Sequence, residues 1–115
     1  ETEDVVSINS STFKVTRKAD MIYARKFHGA VHHKGCIYVI GGEADDCYLS
    51  SCERYVVSKK RWEEVAQLPQ PCSKMSVLAV DVPNSIYAFG GFHIKNLNCI
   101  QRLALDSMTW LLLSL

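Results

Sequence analysis

Apolar positions along this chain come in short blocks. Cys36–Ile40 and Ser85–Phe89 are runs rich in β-branched and aromatic side chains, and each stops at a glycine pair, Gly41-Gly42 and Gly90-Gly91. A short apolar run bounded by turn residues is the pattern of a strand buried on both faces. Residues 31–34 and 77–81 precede these runs across turns, Lys34-Gly35 in one case and Val82-Pro83-Asn84-Ser85 in the other. After each glycine pair comes a polar stretch, then residues 52–57 or 100–105. A further turn follows (Ser58-Lys59-Lys60 or Asp106-Ser107), and then a run containing tryptophan. No helical 3.6-residue period passes through these blocks, and Leu68-Pro69-Gln70-Pro71 between them cannot be helix interior. The pattern predicts strands near 28–34, 36–41, 51–57, 61–66, 75–81, 85–90, 99–105 and 109–113, with two more before residue 17.

The blocks repeat. Ile37-Tyr38-Val39-Ile40-Gly41-Gly42 returns 49 residues later as Ile86-Tyr87-Ala88-Phe89-Gly90-Gly91, and Trp62 returns 48 residues later as Trp110. Leu49, Arg54 and Tyr55 map onto Leu97, Arg102 and Leu103, and one period before Trp62 stands another aromatic, Phe13. The expected organisation is therefore the tail of one repeat over 1–20, a full repeat over 21–67 and a second over 68–115.

Four strands in a period of about 50 residues describe a blade of a β-propeller. Arg25-x-x-His28-Gly29-Ala30, Tyr38-Val39-Ile40-Gly41-Gly42, Glu53-Arg54-Tyr55, Trp62 and Leu68-Pro69 stand in the order and spacing of a kelch repeat, and the chain resembles the kelch family over nearly its whole length. The second repeat keeps Tyr87, Gly90-Gly91 and Trp110. It departs at Cys72, Met75 and Leu103, where the first has Arg25, His28 and Tyr55. The resemblance implies an all-β fold of antiparallel four-stranded kelch blades forming part of a propeller. The glycine pairs, Tyr38, Tyr87 and both tryptophans are expected to serve packing, and His28 to be a hydrogen-bonded structural histidine. Two full repeats and a tail leave blade faces bare, so the chain is expected to need further blades, or copies of itself, to be complete as a folded unit.

Composition narrows the chemistry. Hydrophobic residues make up 48% of the 115 positions, enough for a packed core. A net charge of +1 gives no field to attract nucleic acid or an anionic membrane, and no apolar run approaches a membrane span. Glu1 and the acidic residues that follow are no signal peptide. The five cysteines, Cys36, Cys47, Cys52, Cys72 and Cys99, are odd in number and contain no Cys-x-x-Cys pair, which points to reduced thiols in the cytoplasm. If one thiol is reactive, Cys72, two residues from Lys74, is the choice.

Metal and covalent chemistry find little support. His28 and His32 share a strand face but lie roughly 13 Å apart at strand rise, too far for one ion. His93 stands apart in the second glycine-pair loop. There is no Gly-x-Ser-x-Gly elbow and no phosphate-cradling glycine loop. No cofactor is expected. An alternative reading is a fragment of a kelch-fold enzyme, an oxidase or a sugar isomerase, with its catalytic set completed elsewhere.

The resemblance places function in the loops, a protein or peptide being the ligand. The segments leading into each innermost strand (Tyr23 to Phe27 and Pro71 to Lys74) and the loops after the glycine pairs (Glu43 to Asp46 and Phe92 to Lys95) should emerge together. The expected contact residues are Arg25, Lys26, Phe27, Glu43, Asp45, Asp46, Ser73, Lys74, His93 and Lys95. Kelch proteins that also carry a BTB domain recruit targets to cullin-based ubiquitin ligases and others bind actin, so either role is implied here. Charge reversal at Arg25 and Lys74 together is expected to weaken partner capture without altering the fold.

Overall fold

The structure, a computed structural model, describes residues 6–9, 14–17, 25–93 and 95–114, with side chains from 25 to 93 and 97 to 113. All regular structure among them is β. A short hairpin, β1 (Val6–Asn9) with β2 (Lys14–Arg17), comes first. The first repeat supplies β3 (Gly29–His33), β4 (Cys36–Ile40), β5 (Glu43–Ala44), β6 (Cys47–Tyr48), β7 (Cys52–Val56) and β8 (Arg61–Val65). The second supplies β9 (Ser76–Val80), β10 (Ser85–Phe89), β11 (Phe92–His93), β12 (Lys95–Asn96), β13 (Cys99–Ala104) and β14 (Thr109–Ser114).

Each repeat folds into a four-stranded antiparallel meander, β3-β4-β7-β8 in the first and β9-β10-β13-β14 in the second. These are kelch blades of a partial propeller. Every main strand falls within two residues of the position the apolar blocks predict, because the turns and glycine pairs punctuate the chain so sharply. The hairpins β5-β6 and β11-β12, inside the loops after the glycine pairs, were not expected. Two-residue strands leave no hydrophobic period to read. Phe13, Tyr23, Ala24, Ile94 and the Lys95 side chain lie outside the described residues.

The core lies between the two sheets. Tyr38, Ile40 and Cys52 of the first and Ile86, Ala88 and Leu103 of the second bury against each other, with Leu68, Cys72 and Met75 of the linker filling the end. These residues alternate along their strands with others on the opposite face, as the pleat requires. The innermost strands β3 and β9 touch. On the outermost strand, the Trp110 indole N–H donates to the Ala66 carbonyl of the preceding repeat at 2.8 Å, so the second blade reaches over the first as its aromatic position implied. Trp62 instead lies on the far face of the first sheet, 5.4 Å from the Tyr55 ring, beside the buried Val39.

The far faces differ. On the first sheet Val39 and Tyr55 are 1% and 4% exposed. On the second, cross-strand register aligns Leu78, Tyr87, Arg102 and Leu111 in one row and Phe89, Ile100 and Leu113 in the next. Leu78 and Leu111 stand 53% and 52% exposed, and Phe89 and Leu113 are exposed as well. This apolar sheet face is open to solvent. No helix among the described residues is long and apolar enough to cross a membrane.

Candidate functional site

The loops gather at the end of the sheets where the glycine pairs lie, and backbone pairing binds them into a single layer. Lys26 and Glu43 exchange N–H···O bonds of 3.0 and 2.8 Å, and Ser73 and Phe92 exchange bonds of 2.9 and 2.7 Å. Each leading loop is thus stitched to the hairpin of its own repeat. The Lys74 N–H donates to the Phe27 carbonyl at 2.8 Å, and the Gly42 N–H to the Cys72 carbonyl at 2.8 Å, which stitches one repeat to the next.

Glycine makes this layer possible. Gly42 has a φ of 106°, and a Cβ there would stand 2.8 Å from the Lys26 carbonyl oxygen and 3.0 Å from the His28 Cβ. Gly91, with a φ of 99°, would meet the Ser73 carbonyl oxygen at 2.9 Å. Both are left-handed conformations in which a side chain is strained, and both lie under backbone that cannot retreat.

The layer divides the expected contact residues. Lys26, Phe27, Asp45, Asp46 and Lys74 face solvent. Asp45 and Asp46 form the β5-β6 tip at φ of 49° and 63°, a conformation that aspartate tolerates better than most residues. Glu43 is half-buried and accepts a 2.7 Å bond from the Ser73 hydroxyl. His93 is half-buried, its Nδ1 2.9 Å from the Gln70 side-chain nitrogen and its ring edge-on to Tyr48 at 5.0 Å. Tyr48 and Phe92, with ring centroids 5.9 Å apart, belong to the same cluster and carried no signal beyond their place after a glycine pair.

Two expected contact residues lie beneath the layer. Arg25 is 1% exposed. It donates to the carbonyls of Gly41 (2.9 Å) and Ser51 (2.8 Å), to the Ser51 hydroxyl (3.1 Å) and to the Glu53 carboxylate (2.6 Å). A loop arginine followed by lysine reads as a solvated charge, but this one is a buried brace, and reversing its charge would unfold the end of the sheet. Ser73 is fully buried with its hydroxyl engaged by Glu43. Lys26 with Lys74, both exposed, is therefore the charge-reversal pair expected to leave the fold intact.

One further expectation changes. Cys72 is fully buried, and burial, with Cys99 nearby, pushes its thiol up to about 11, so it is protected and not reactive. Burial likewise pushes Cys52 up to about 12. All five cysteines are free, and Cys47 is the exposed one. His28 packs under Gly42, with its Nδ1 buried without a hydrogen-bond partner. Burial, and then the charge of Arg25, lower its pKa. Among the described residues no three histidine, cysteine or acidic side chains lie close enough to hold a metal ion.

Two four-stranded meanders, each with a glycine pair after its second strand and the first clasped by the outer tryptophan of the second, define a blade-repeat protein whose loops form a shared end surface. The family model described as Kelch motif matches residues 24–69. The zebrafish (Danio rerio) Kelch-like protein 41a is 44% identical over 77 residues, which is 67% of this chain and 12% of that protein. Kelch-like protein 40 of Xenopus tropicalis is 33% identical over 84 residues, 73% of this chain and 13% of that protein. Beta-scruin of Limulus polyphemus is 38% identical over 82 residues, 70% of this chain and 9% of that protein. The chain belongs to the kelch-repeat family, and it spans about an eighth of the length of the Kelch-like relatives it matches.

Proposed function

We propose that the loop layer at the glycine-pair end is a protein-binding surface and that the chain works as part of a kelch interaction module. The observation that carries this reading is the layer itself. Backbone bonds and the buried Arg25 fix the loops from below, while Lys26, Phe27, Asp45, Asp46 and Lys74 are left outward. A surface ordered before it meets a partner loses little conformational entropy on binding, and loops on a rigid scaffold are where binding residues concentrate.

The family resemblance adds two finer roles: delivering a captured protein to a cullin-based ubiquitin ligase, and attachment to actin. An odd number of cysteines with no Cys-x-x-Cys pair suits a reducing compartment, and we propose the cytoplasm on that ground. The test compares two variants of the full chain for loss of bound partners, by cross-linking and mass spectrometry. One carries Lys26→Glu with Lys74→Glu in the layer. The other carries Lys59→Glu with Lys60→Glu in the turn at the opposite end of the first sheet. Loss of partners from the first alone is expected, and loss from the second alone would place the binding surface elsewhere. Co-sedimentation with filamentous actin separates the two finer roles.

A further inference from the structure

The open face of the second sheet lacks an acid that its counterpart in the first sheet keeps. In the first sheet, cross-strand register aligns Val31, Tyr38, Arg54 and Glu63 on the face that packs against the second. Arg54 is neutralised within that row. Its Nε donates to the Glu63 carboxylate at 3.0 Å, and its Nη1 lies 3.4 Å from the Tyr38 hydroxyl. The corresponding row of the second sheet is Leu78, Tyr87, Arg102 and Leu111, so leucine stands where the acid was. The half-buried Arg102 donates through Nε to the buried Ser85 hydroxyl at 3.0 Å, and among the described residues no carboxylate pairs with its guanidinium.

Around this arginine the face is apolar. The Tyr87 and Phe89 rings lie nearly parallel with centroids 6.0 Å apart, and Leu78, Leu111 and Leu113 stand exposed beside them. The joint within the molecule shows what covers such a face, since Tyr38 and Ile40 of the first sheet are buried by the second. Copies of this chain fit it poorly. Laid open face to open face, two copies would bring two unneutralised guanidiniums into one desolvated layer, and none of the aligned rows on that face holds an acid. Laid open face to first sheet, they meet a surface that is already closed, with Val39 and Tyr55 buried.

We infer that the open face of the second sheet docks a further blade that brings its own carboxylate to Arg102. Charge complementarity selects the occupant. An apolar cover without an acid would bury an unpaired guanidinium, a penalty that sets against the apolar contact around it. In the joint between the two sheets the ion pair is internal to one of them, so an apolar neighbour suffices. On the open face the pair forms only across the joint, so Arg102 decides which blade stacks there. Of the two ways to complete the chain, further blades or copies of itself, this selects the first. The loop layer plays no part in it.

The test uses the protein as its cells make it. The photo-cross-linker p-benzoylphenylalanine is placed at Leu78 or at Leu111, and the attached segment is identified by mass mapping. Both cross-links are expected in one further repeat, with an Asp or Glu between or beside the two attachment points. Arg102→Glu should then lower the cross-link yield about fivefold or more, and changing the mapped acid to Arg in the same protein should restore it. If reversed charge perturbs the sheet, seen as an altered far-ultraviolet circular dichroism of the 115-residue chain, the neutral exchange carries the test. Arg102→Met alone should lower the yield, and Arg102→Met with the mapped acid changed to Met should restore it. Attachment to a second copy of this chain overturns the inference, as does attachment to a segment without an acid. It also fails if the yield ignores the change at Arg102, if neither double exchange restores it, or if nothing attaches and the face stays open.

Discussion

In the first sheet the corner between the leading loop and the third strand is closed by an ion pair whose two side chains are fully buried, Arg25 with Glu53. One repeat later the corresponding residues are Cys72 and Gln101, and no charge is present. The Gln101 amide reaches the other way, from strand to loop. It accepts the Gln70 N–H at 2.9 Å and donates to the Gln70 carbonyl at 3.1 Å, with the Cys72 sulfur 3.6 Å from the same nitrogen. Both arrangements tie a leading loop to its sheet, and both satisfy main-chain groups that the loop cannot pair for itself. The charged brace gathers four acceptors into one guanidinium, whereas the neutral one copies the pairing of an extra strand residue. The requirement at this corner is thus a hydrogen-bonding one, and it does not dictate charge.

The two solutions should break very differently. Arg25→Ala removes the guanidinium from the buried Glu53 carboxylate. It is expected to cost about 3–5 kcal/mol in a denaturant titration. Placing the second repeat's residues at both positions, Arg25→Cys with Glu53→Gln, should recover a substantial part of that loss, because the buried carboxylate is then replaced by a neutral amide. Equal destabilisation by the single and double changes would mean that charge itself is required. Gln101→Ala should cost less, about 1–3 kcal/mol, since it strands only neutral groups. If its cost equals that of Arg25→Ala, the contrast between charged and neutral braces fails.

Thiol labelling sharpens the same contrast. In the folded protein Cys47 should react freely, while Cys52 and Cys72, raised to about 12 and about 11 by burial, should react at least a hundredfold more slowly. Gln101→Ala should speed labelling of Cys72 by loosening its loop and leave Cys52 protected, as read by peptide mass mapping. The smallest effect concerns acid. Burial and Arg25 hold His28 below its ordinary pKa of 6.5, so the unfolded chain takes up the proton first as pH falls through that value. Stability contributed by the neutral imidazole is complete above this range and declines below it. The second repeat has Met75 at this place, so His28→Met should flatten the fall in melting temperature between neutral pH and pH 5.

The strand order was legible because glycine pairs and turn residues bound each apolar block, and because the blocks recur with their spacing nearly unchanged. The loop layer was legible only as a location. Lys26 and Lys74 lie outward as their charge and loop context imply, and Phe27 lies outward despite its apolar ring, whereas Arg25 and Ser73 are buried, since a charged or hydroxylated loop residue carries no mark of its burial. One sign was present in the repeat itself. Arg25 and Glu53 are replaced together by Cys72 and Gln101, the joint change expected of residues in contact. The covering of Gly42 and Gly91 by the leading loops, and the two-residue hairpins, depend on tertiary approach and leave no periodic trace.

The most direct measurement is hydrogen–deuterium exchange on the full chain with and without a captured partner. The account predicts slower exchange in the partner complex over residues 25–28, 43–48, 72–75 and 92–93, with the turns at 57–60 and 81–84 unchanged. Protection of those turns with the four loop segments unaffected would contradict it.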